Sequence, residues 1–295
     1  MTAAPRTHLS TRDLTALRFA DPGAFRALLT QRRPFAGVPD GEKLLVIAAD
    51  HPGRGALGAG GDPMAMADRL DLLDRIVVAL GRPGVHGFLG TADLVEDLAA
   101  LGALDGRLVL GSMNRGGLHG ATFELDDRFT GYDAPGILAA GLDGGKMLLR
   151  LDLDDPGSLA TLHACADAVD ALAAERRIAM VEPFLSRRVD GRVRNDLSTD
   201  AVRTSTAIAS ALGSTSAYTW LKLPYVPEME RVMAATTLPA LILGGEVGAD
   251  QEATLADWQA ALALPGVRGL VVGRSLLYPP DGDVAAAVDA TVALL

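Results

Sequence analysis

From residue 44 onward, short apolar runs of strand length alternate with Ala- and Leu-rich stretches of helical period, and this alternation leaves few folds open. Consecutive strands separated by helices pair in parallel, with the helices packed on the sheet. Eight strand candidates fall at 44–49, 84–89, 107–112, 146–153, 178–184, 218–223, 240–244 and 270–274. Between them, 63–80, 158–176, 200–212 and 251–262 have the length and apolar spacing of helices. Eight such units in about 250 residues fit a closed (β/α)8 TIM barrel better than an open sheet. No G-x-G-x-x-G dinucleotide fingerprint follows the first strand. Ahead of the barrel, Leu14, Leu17, Phe25, Leu28 and Leu29 are spaced as on helices, interrupted at Asp21-Pro22-Gly23. The chain is therefore expected to be an N-terminal helical extension, 1–40, followed by a single α/β barrel domain, 41–295.

The formal net charge of -10 argues against a nucleic-acid surface, which would need a basic face. Cys165 is the only cysteine, so no internal disulfide can form, which suits a reducing compartment. The start of the chain lacks the apolar core of a signal peptide, and no later stretch is apolar for long enough to span a bilayer. A cytoplasmic protein with neither membrane nor nucleic acid as partner is expected.

Active sites in TIM barrels gather at the carboxyl ends of the strands, so polar residues there carry a functional reading. Of the 27 basic residues only Lys43, Lys146 and Lys222 are lysines, and two of these sit inside apolar runs, Gly-Gly-Lys146-Met-Leu-Leu and Trp-Leu-Lys222-Leu-Pro. Burying an unpaired ammonium is costly, so each needs a partner or a role. Lysine also offers what arginine lacks, a titratable amine able to attack a carbonyl. Strand alternation puts Lys146, Arg150 and Asp152 on one side of their strand, and Tyr218, Trp220 and Lys222 on one side of theirs. If both sides face the barrel interior, the lysines face each other. An ordinary lysine pKa of about 10.4 leaves almost no free amine at neutral pH, and lowering it by ~3 units requires about 4 kcal/mol, within reach of burial plus one like charge. Asp50, after the first strand, and Glu182, on the fifth, are placed to move protons on substrate hydroxyls. The alternative is a buried ion-pair network of the two lysines with Asp50, Asp152 or Glu182 that performs no turnover.

The seventh and eighth candidates end in Gly244-Gly245-Glu246-Val247 and Gly273-Arg274-Ser275. Backbone N–H groups in this quarter of a barrel often hold phosphate, so Gly244, Gly245, Gly273 and Arg274, with Arg150, are the candidate phosphate ligands. Arg187, Arg188, Arg192 and Arg194 follow the fifth strand as a solvated loop or a second anion site. The long link from 115 to 139, with Glu124, Asp126, Asp127 and Arg128, reads either as a lid over the mouth or as a solvated excursion. A rival site draws on His51, His86 and His119, in or after the first three strands, as ligands of a catalytic divalent metal, although their spacing matches no metal motif.

Taken together, Asp50-His51, Lys146-Met-Leu-Leu with Asp152, Glu182-Pro183, Leu221-Lys222 and Gly273-Arg274 resemble the class I, imine-forming aldolases of the deoxyribose-phosphate, tagatose-bisphosphate and archaeal-type fructose-bisphosphate aldolase superfamily, from about residue 44 to 278. The sequence is especially similar to the tagatose-bisphosphate and sulfofructose-phosphate branch. That resemblance implies Lys222 as the Schiff-base lysine, Lys146 and Glu182 as its assistants, and Asp50 as a contact for substrate hydroxyls. It departs from the branch in the Leu223-Pro224-Tyr225-Val226 that follows Lys222, where an acidic continuation is usual, and in a Gly-Gly-Glu turn in place of a serine-containing one. The chain is also similar to an actinobacterial barrel subfamily associated with inositol catabolism, which implies 5-dehydro-2-deoxygluconate 6-phosphate as substrate.

The resemblance implies a small phosphorylated sugar or keto-acid as partner, no metal or organic cofactor, and a homo-oligomeric assembly. Two other classes stay open on the residues alone. A metal-dependent lyase or hydrolase would use the histidines, and a noncatalytic barrel would bind a sugar phosphate without turning it over.

Overall fold

The computed structural model describes residues 9–38, 41–245 and 250–295. Nine strands run through these residues: β1 Leu44–Ala48, β2 Gly87–Gly90, β3 Leu108–Ser112, β4 Gly144–Leu151, β5 Ile178–Val189, β6 Arg192–Asn195, β7 Thr219–Leu223, β8 Ala240–Leu243 and β9 Val267–Val272. Eight of them close in parallel in the order β1-β2-β3-β4-β5-β7-β8-β9, and β9 returns to β1. The chain is a (β/α)8 barrel. The odd strand is β6: β5 runs on past the barrel and folds back on it as an antiparallel hairpin, pairing Arg187 with Arg194. The arginine-rich stretch after the fifth strand is therefore this hairpin.

The helices are α1 Leu14–Ala20, α2 Ala24–Thr30, α3 Arg69–Leu80, α4 Ala92–Ala100, α5 Ala134–Ala139, α6 Gly157–Ala174, α7 Thr199–Ser210, α8 Met229–Met233, α9 Gln251–Leu262, α10 Arg274–Leu277 and α11 Val284–Val292. Side-chain caps set several of their starts. The segment expected to be helical from 63 becomes so only at Arg69, because the Asp68 carboxylate accepts the N–H groups of Leu70 and Asp71 at 2.9 and 3.0 Å. Ser198 and Asp250 cap α7 and α9 in the same way. Strand limits move for similar reasons. Gly84 turns with φ +84°, so β2 starts at Gly87, and β4 ends at Leu151, leaving Leu153 84% exposed.

In the N-terminal segment, Pro22-Gly23 separates α1 from α2, and Phe25 and Leu29 bury themselves in the core shared with α4. Arg18 stacks over the Phe25 ring at 3.9 Å and pairs with Glu96 and Asp97 of α4.

Two apolar layers follow from the period-two alternation of the strands. Outward side chains such as Leu45, Ile47, Val109, Val181 and Leu221 pack on the helices. Inward ones, Leu44, Val46, Leu89, Leu108, Leu110, Met180, Leu241 and Val271, fill the barrel. Each buried side chain of this size contributes about 1.5–3 kcal/mol. The inward alternation continues toward the carboxyl ends, where its residues change from apolar to charged. Ser112 registers with Lys146, Leu148 with Glu182, and Lys222 with Leu241.

Candidate active site

The charged residues at the top of the barrel converge on one carboxylate. Glu182, from β5, lies between Lys146 of β4 and Lys222 of β7: its Oε2 contacts the Lys146 Nζ, and its Oε1 stands 3.1 Å from the Lys222 Nζ. Lys146 also reaches Asp50 Oδ2, at 3.1 Å. All four side chains are 10% exposed or less. The two lysines do face each other across the interior, as the alternation of their strands requires. Asp152, a third possible partner from sequence, turns away and accepts the Asp154 N–H.

Asp50 is held from another side by a residue that the sequence reading passed over. Arg115, three residues past the end of β3, donates Nη1 to the Asp50 carbonyl at 2.9 Å and Nη2 to Asp50 Oδ2 at 2.6 Å, and also contacts Ser112 Oγ. Ser112 in turn donates to Asp50 Oδ2 at 3.2 Å. The signal was present: Arg115 is a polar residue at a strand end, the very position judged functional for Asp50. Its assignment to the long following loop hid it.

Burial opposes the charge on both carboxylates, but the cations around them win. Lys146, Arg115 and Lys222 hold Asp50 well below the ordinary carboxylate range. Lys146 and Lys222 bring Glu182 down to about 2. For the Lys146 ammonium, burial drives toward loss of the proton, with Lys222 and Arg115 pushing the same way against the attraction of Asp50 and Glu182. The arrangement thus pairs a buried, proton-accepting carboxylate with two amines, the elements needed to carry a proton to and from a carbonyl-derived group.

Arg150 lies on the interior side of β4, but its NH groups are taken by the long loop: Nη1 donates to Glu124 Oε1 at 2.6 Å and Nη2 to the Glu124 carbonyl at 3.0 Å. Arg54 makes the second such anchor, pairing with Asp127 and donating to the Gly117 carbonyl at 2.5 Å. The link after β3 is therefore latched to the barrel mouth by two buried arginines, while its tip, around 118–123, and parts of the return, such as Arg128 and Thr130, are solvated. Neither a free lid nor a plain excursion describes it.

On the β8–β9 side, Gly244 and Gly273 are required by close packing. A side chain at Gly273 would meet the Ala48 carbonyl, and one at Gly244 would come within 2.6 Å of Val272. Gly245 turns with φ +67°. Glu246 and Val247 lie outside the described residues. Beside these glycines the Arg274 Nε and the Ser275 Oγ are buried without a hydrogen-bond partner, as is the His51 Nδ1. Burial pushes the His51 ring down to about 3, so it is neutral at ordinary pH.

The three histidines of the rival site are not brought together. His86 precedes β2 at the opposite end of the barrel, where its Nδ1 accepts the Leu45 N–H at 3.1 Å. His119 is 70% exposed on the loop tip. Among the described residues, no group of three His, Cys, Asp or Glu side chains is arranged to hold a metal ion. No helix among them is long and apolar enough to cross a membrane.

Comparison with known proteins agrees with this architecture. The family model described as Cgl0159-like matches residues 42–292. The fold is similar to the crystal structure of Cgl0159 from Corynebacterium glutamicum, at 54% identity over 99% of this chain and 98% of that one, with a TM-score of 0.94. More distantly it is similar to a Schiff-base-forming fructose-1,6-bisphosphate aldolase, at 17% identity over 92% and 99% of the two chains, with a TM-score of 0.63. It is also similar to an archaeal fructose-1,6-bisphosphate aldolase whose catalytic lysine is bound to a carbinolamine intermediate, at 16% identity over 92% and 98%, with a TM-score of 0.63. At that identity the likeness is one of fold. No curated protein matches the sequence significantly.

Proposed function

This chain belongs to the Cgl0159-like family, and on that premise we propose that it is a class I aldolase, which breaks and forms a carbon–carbon bond of a phosphorylated ketose or keto-acid through a lysine imine. The observation that carries the proposal is the Glu182 carboxylate shared by two buried lysines at the carboxyl end of a closed barrel. The archaeal and Schiff-base aldolases of the same fold, one of them with its catalytic lysine bound to a carbinolamine intermediate, support it.

In this mechanism Lys222 is the nucleophile, because a single carboxylate contacts its Nζ while Lys146 is pinned by two. The free amine of Lys222 adds to the ketone carbon and gives a carbinolamine. Glu182, relaying a proton from Lys146, protonates the hydroxyl, water leaves, and a protonated imine remains. Asp50 or Glu182 then takes the proton of the hydroxyl on the carbon β to the imine carbon. The bond between the α and β carbons breaks, its electron pair enters the enamine, and an aldehyde departs. Protonation of the enamine and hydrolysis of the imine release the second product and the amine. No step calls for a metal or an organic cofactor.

We assign the phosphate to Gly244, Gly245, Gly273 and Arg274, because Arg274 Nε and Ser275 Oγ are buried without a partner beside these glycines, while both Nη groups of Arg150 are engaged by Glu124 and only its Nε is unpartnered. The substrate we favour is 5-dehydro-2-deoxygluconate 6-phosphate, cleaved to malonate semialdehyde and dihydroxyacetone phosphate. The test is borohydride reduction in the presence of dihydroxyacetone phosphate, followed by peptide mapping. A reduced adduct on Lys222 is expected; an adduct on Lys146 would exchange the roles of the two lysines, and no adduct on either in an active preparation would end the imine mechanism.

A further inference from the structure

Five ionisable side chains form the buried cluster at the mouth, none more than 10% exposed: Asp50, Arg115, Lys146, Glu182 and Lys222. Three are cations and two are carboxylates. The flanking ion pairs do not redress this, since Arg54 is matched by Asp127 and Arg150 by Glu124. The remaining groups that face the cluster are His51, kept neutral by burial, and Arg274 on the rim, which adds positive charge. The surplus cation is Arg115, for without it two lysines and two carboxylates would balance. Burying an uncompensated charge is expensive, and the group able to shed it is a lysine, since a guanidinium keeps its proton.

We propose that Arg115 is a positioning residue with two tasks: its fork fixes the Asp50 side chain and backbone together, and its charge sets the pH at which a lysine of this site becomes a free amine. The proposal rests on the imine reading above. The geometry is direct, because Arg115 and Lys146 contact the same oxygen, Asp50 Oδ2, at 2.6 and 3.1 Å. The charge of Arg115 therefore acts on the lysines at short range among largely buried groups, where screening is weak. A carboxylate that served Lys146 alone would stabilise its ammonium; one already engaged by Arg115 does so less.

The pH dependence of borohydride trapping with dihydroxyacetone phosphate, read by intact mass, tests this. Arg115→Met balances the cluster and is expected to move the trapping midpoint up by about one pH unit. Asp50→Asn leaves a larger surplus and moves it down. The double variant Arg115→Met/Asp50→Asn restores the wild-type surplus and returns the midpoint close to that of the wild type, while Arg115→Lys keeps the midpoint and lowers kcat by loosening Asp50. A residue that merely props up the fold would not shift the two single variants in opposite directions and cancel in the double. Should Arg115→Met fail to fold, the double variant, which removes the buried partner charge as well, is compared with Asp50→Asn alone and is expected to trap at the higher pH. Adduct formation in the wild type with a midpoint indifferent to Arg115, or moved the same way by both single variants, overturns this inference and leaves the imine intact. Absence of adduct in the wild type overturns both.

Discussion

The two ends of this barrel hold their cations in different company. At the base, the partners are mostly main-chain carbonyls. Lys43 donates to the Leu262 carbonyl and, at 3.0 Å, to that of Val267. Arg107 takes the carbonyls of Val85 and Leu80, and Arg32 those of Arg107 and Gly141 together with the Asp143 carboxylate. At the mouth, Lys146, Lys222 and Arg115 meet the carboxylates of Asp50 and Glu182. A carbonyl satisfies an ammonium but has no place for its proton, whereas a carboxylate, ionised near neutral pH, can carry one transiently between groups. Cations at the base therefore fasten strand ends, and those at the mouth sit in a proton-exchanging network. Burial and partner together separate the lysines: Lys43 is half-buried and meets carbonyls, whereas Lys146 and Lys222 are buried and meet carboxylates.

The sharpest way to break this contrast is at Lys222. Lys222→Met should abolish borohydride trapping and lower kcat on the order of 10³-fold or more, as removal of a covalent nucleophile does, with a folded protein by circular dichroism. Turnover near the wild-type level would refute the contrast. Next comes Glu182→Gln, which keeps the shape but removes the proton acceptor. A loss of about 10²–10³-fold in kcat is expected, within the range of general acid–base catalysis. Because Lys146 and Lys222 then lose their shared counter-charge, stability measured by denaturant should also fall, by about 3 kcal/mol.

Much of this contrast was legible before any coordinates. Period-two alternation put Lys146 and Lys222 each on one side of its strand, which faces the interior in the closed barrel, and Glu182 stood out as a polar residue carried by the fifth strand. What alternation could not reveal lies beyond the strand ends. Arg115 follows β3 in irregular backbone, and its partner Asp50 lies 65 residues away in sequence, so only the closed barrel brings them together. The occupation of Arg150 by Glu124 was hidden for the same reason, being a contact between a strand and a long loop. The hairpin β5–β6 read as a loop because its outer face repeats arginine where alternation with apolar residues would have marked strands.

The acid side of the stability curve separates the mouth groups further. Glu182 titrates at about 2 in the folded chain against an ordinary 4.5, so its contribution is fully present above 4.5 and is lost as pH falls through 2; Asp50 acts in the same direction. His51 behaves as a base whose folded pKa, about 3, lies below its ordinary 6.5. The unfolded chain takes up a proton near 6.5 that the folded ring refuses, so stability from this group is complete above 6.5 and declines below it. The decline between 6.5 and 4.5 should thus disappear in His51→Asn, while Glu182→Gln flattens only the portion below 4.5. With its side chain 31% exposed, His51 is expected to give the smaller of the two effects. Urea unfolding at half-unit pH intervals would reveal any merging of the two segments, which would mean that the ring and the carboxylate titrate as one group.

The smallest effect belongs to Lys43 and tests the other half of the contrast. Its ammonium joins the carbonyl of Leu262, at the end of α9, to that of Val267, at the start of β9, and so fastens one helix-to-strand connection at the base. Lys43→Met keeps the aliphatic stem and removes two charge-assisted hydrogen bonds that are partly exposed to water, at a cost of about 1–2 kcal/mol in denaturant stability. Its partners cannot accept a proton, and the apolar interior of Leu44, Val46, Leu108 and Leu110 separates it from the mouth. The trapping midpoint and kcat should therefore stay within about twofold of the wild type. A shift of that midpoint in Lys43→Met comparable to that of an Asp50 or Arg115 variant would show that the base and the mouth are electrostatically coupled through the barrel, and that partner chemistry alone does not set which lysine reacts.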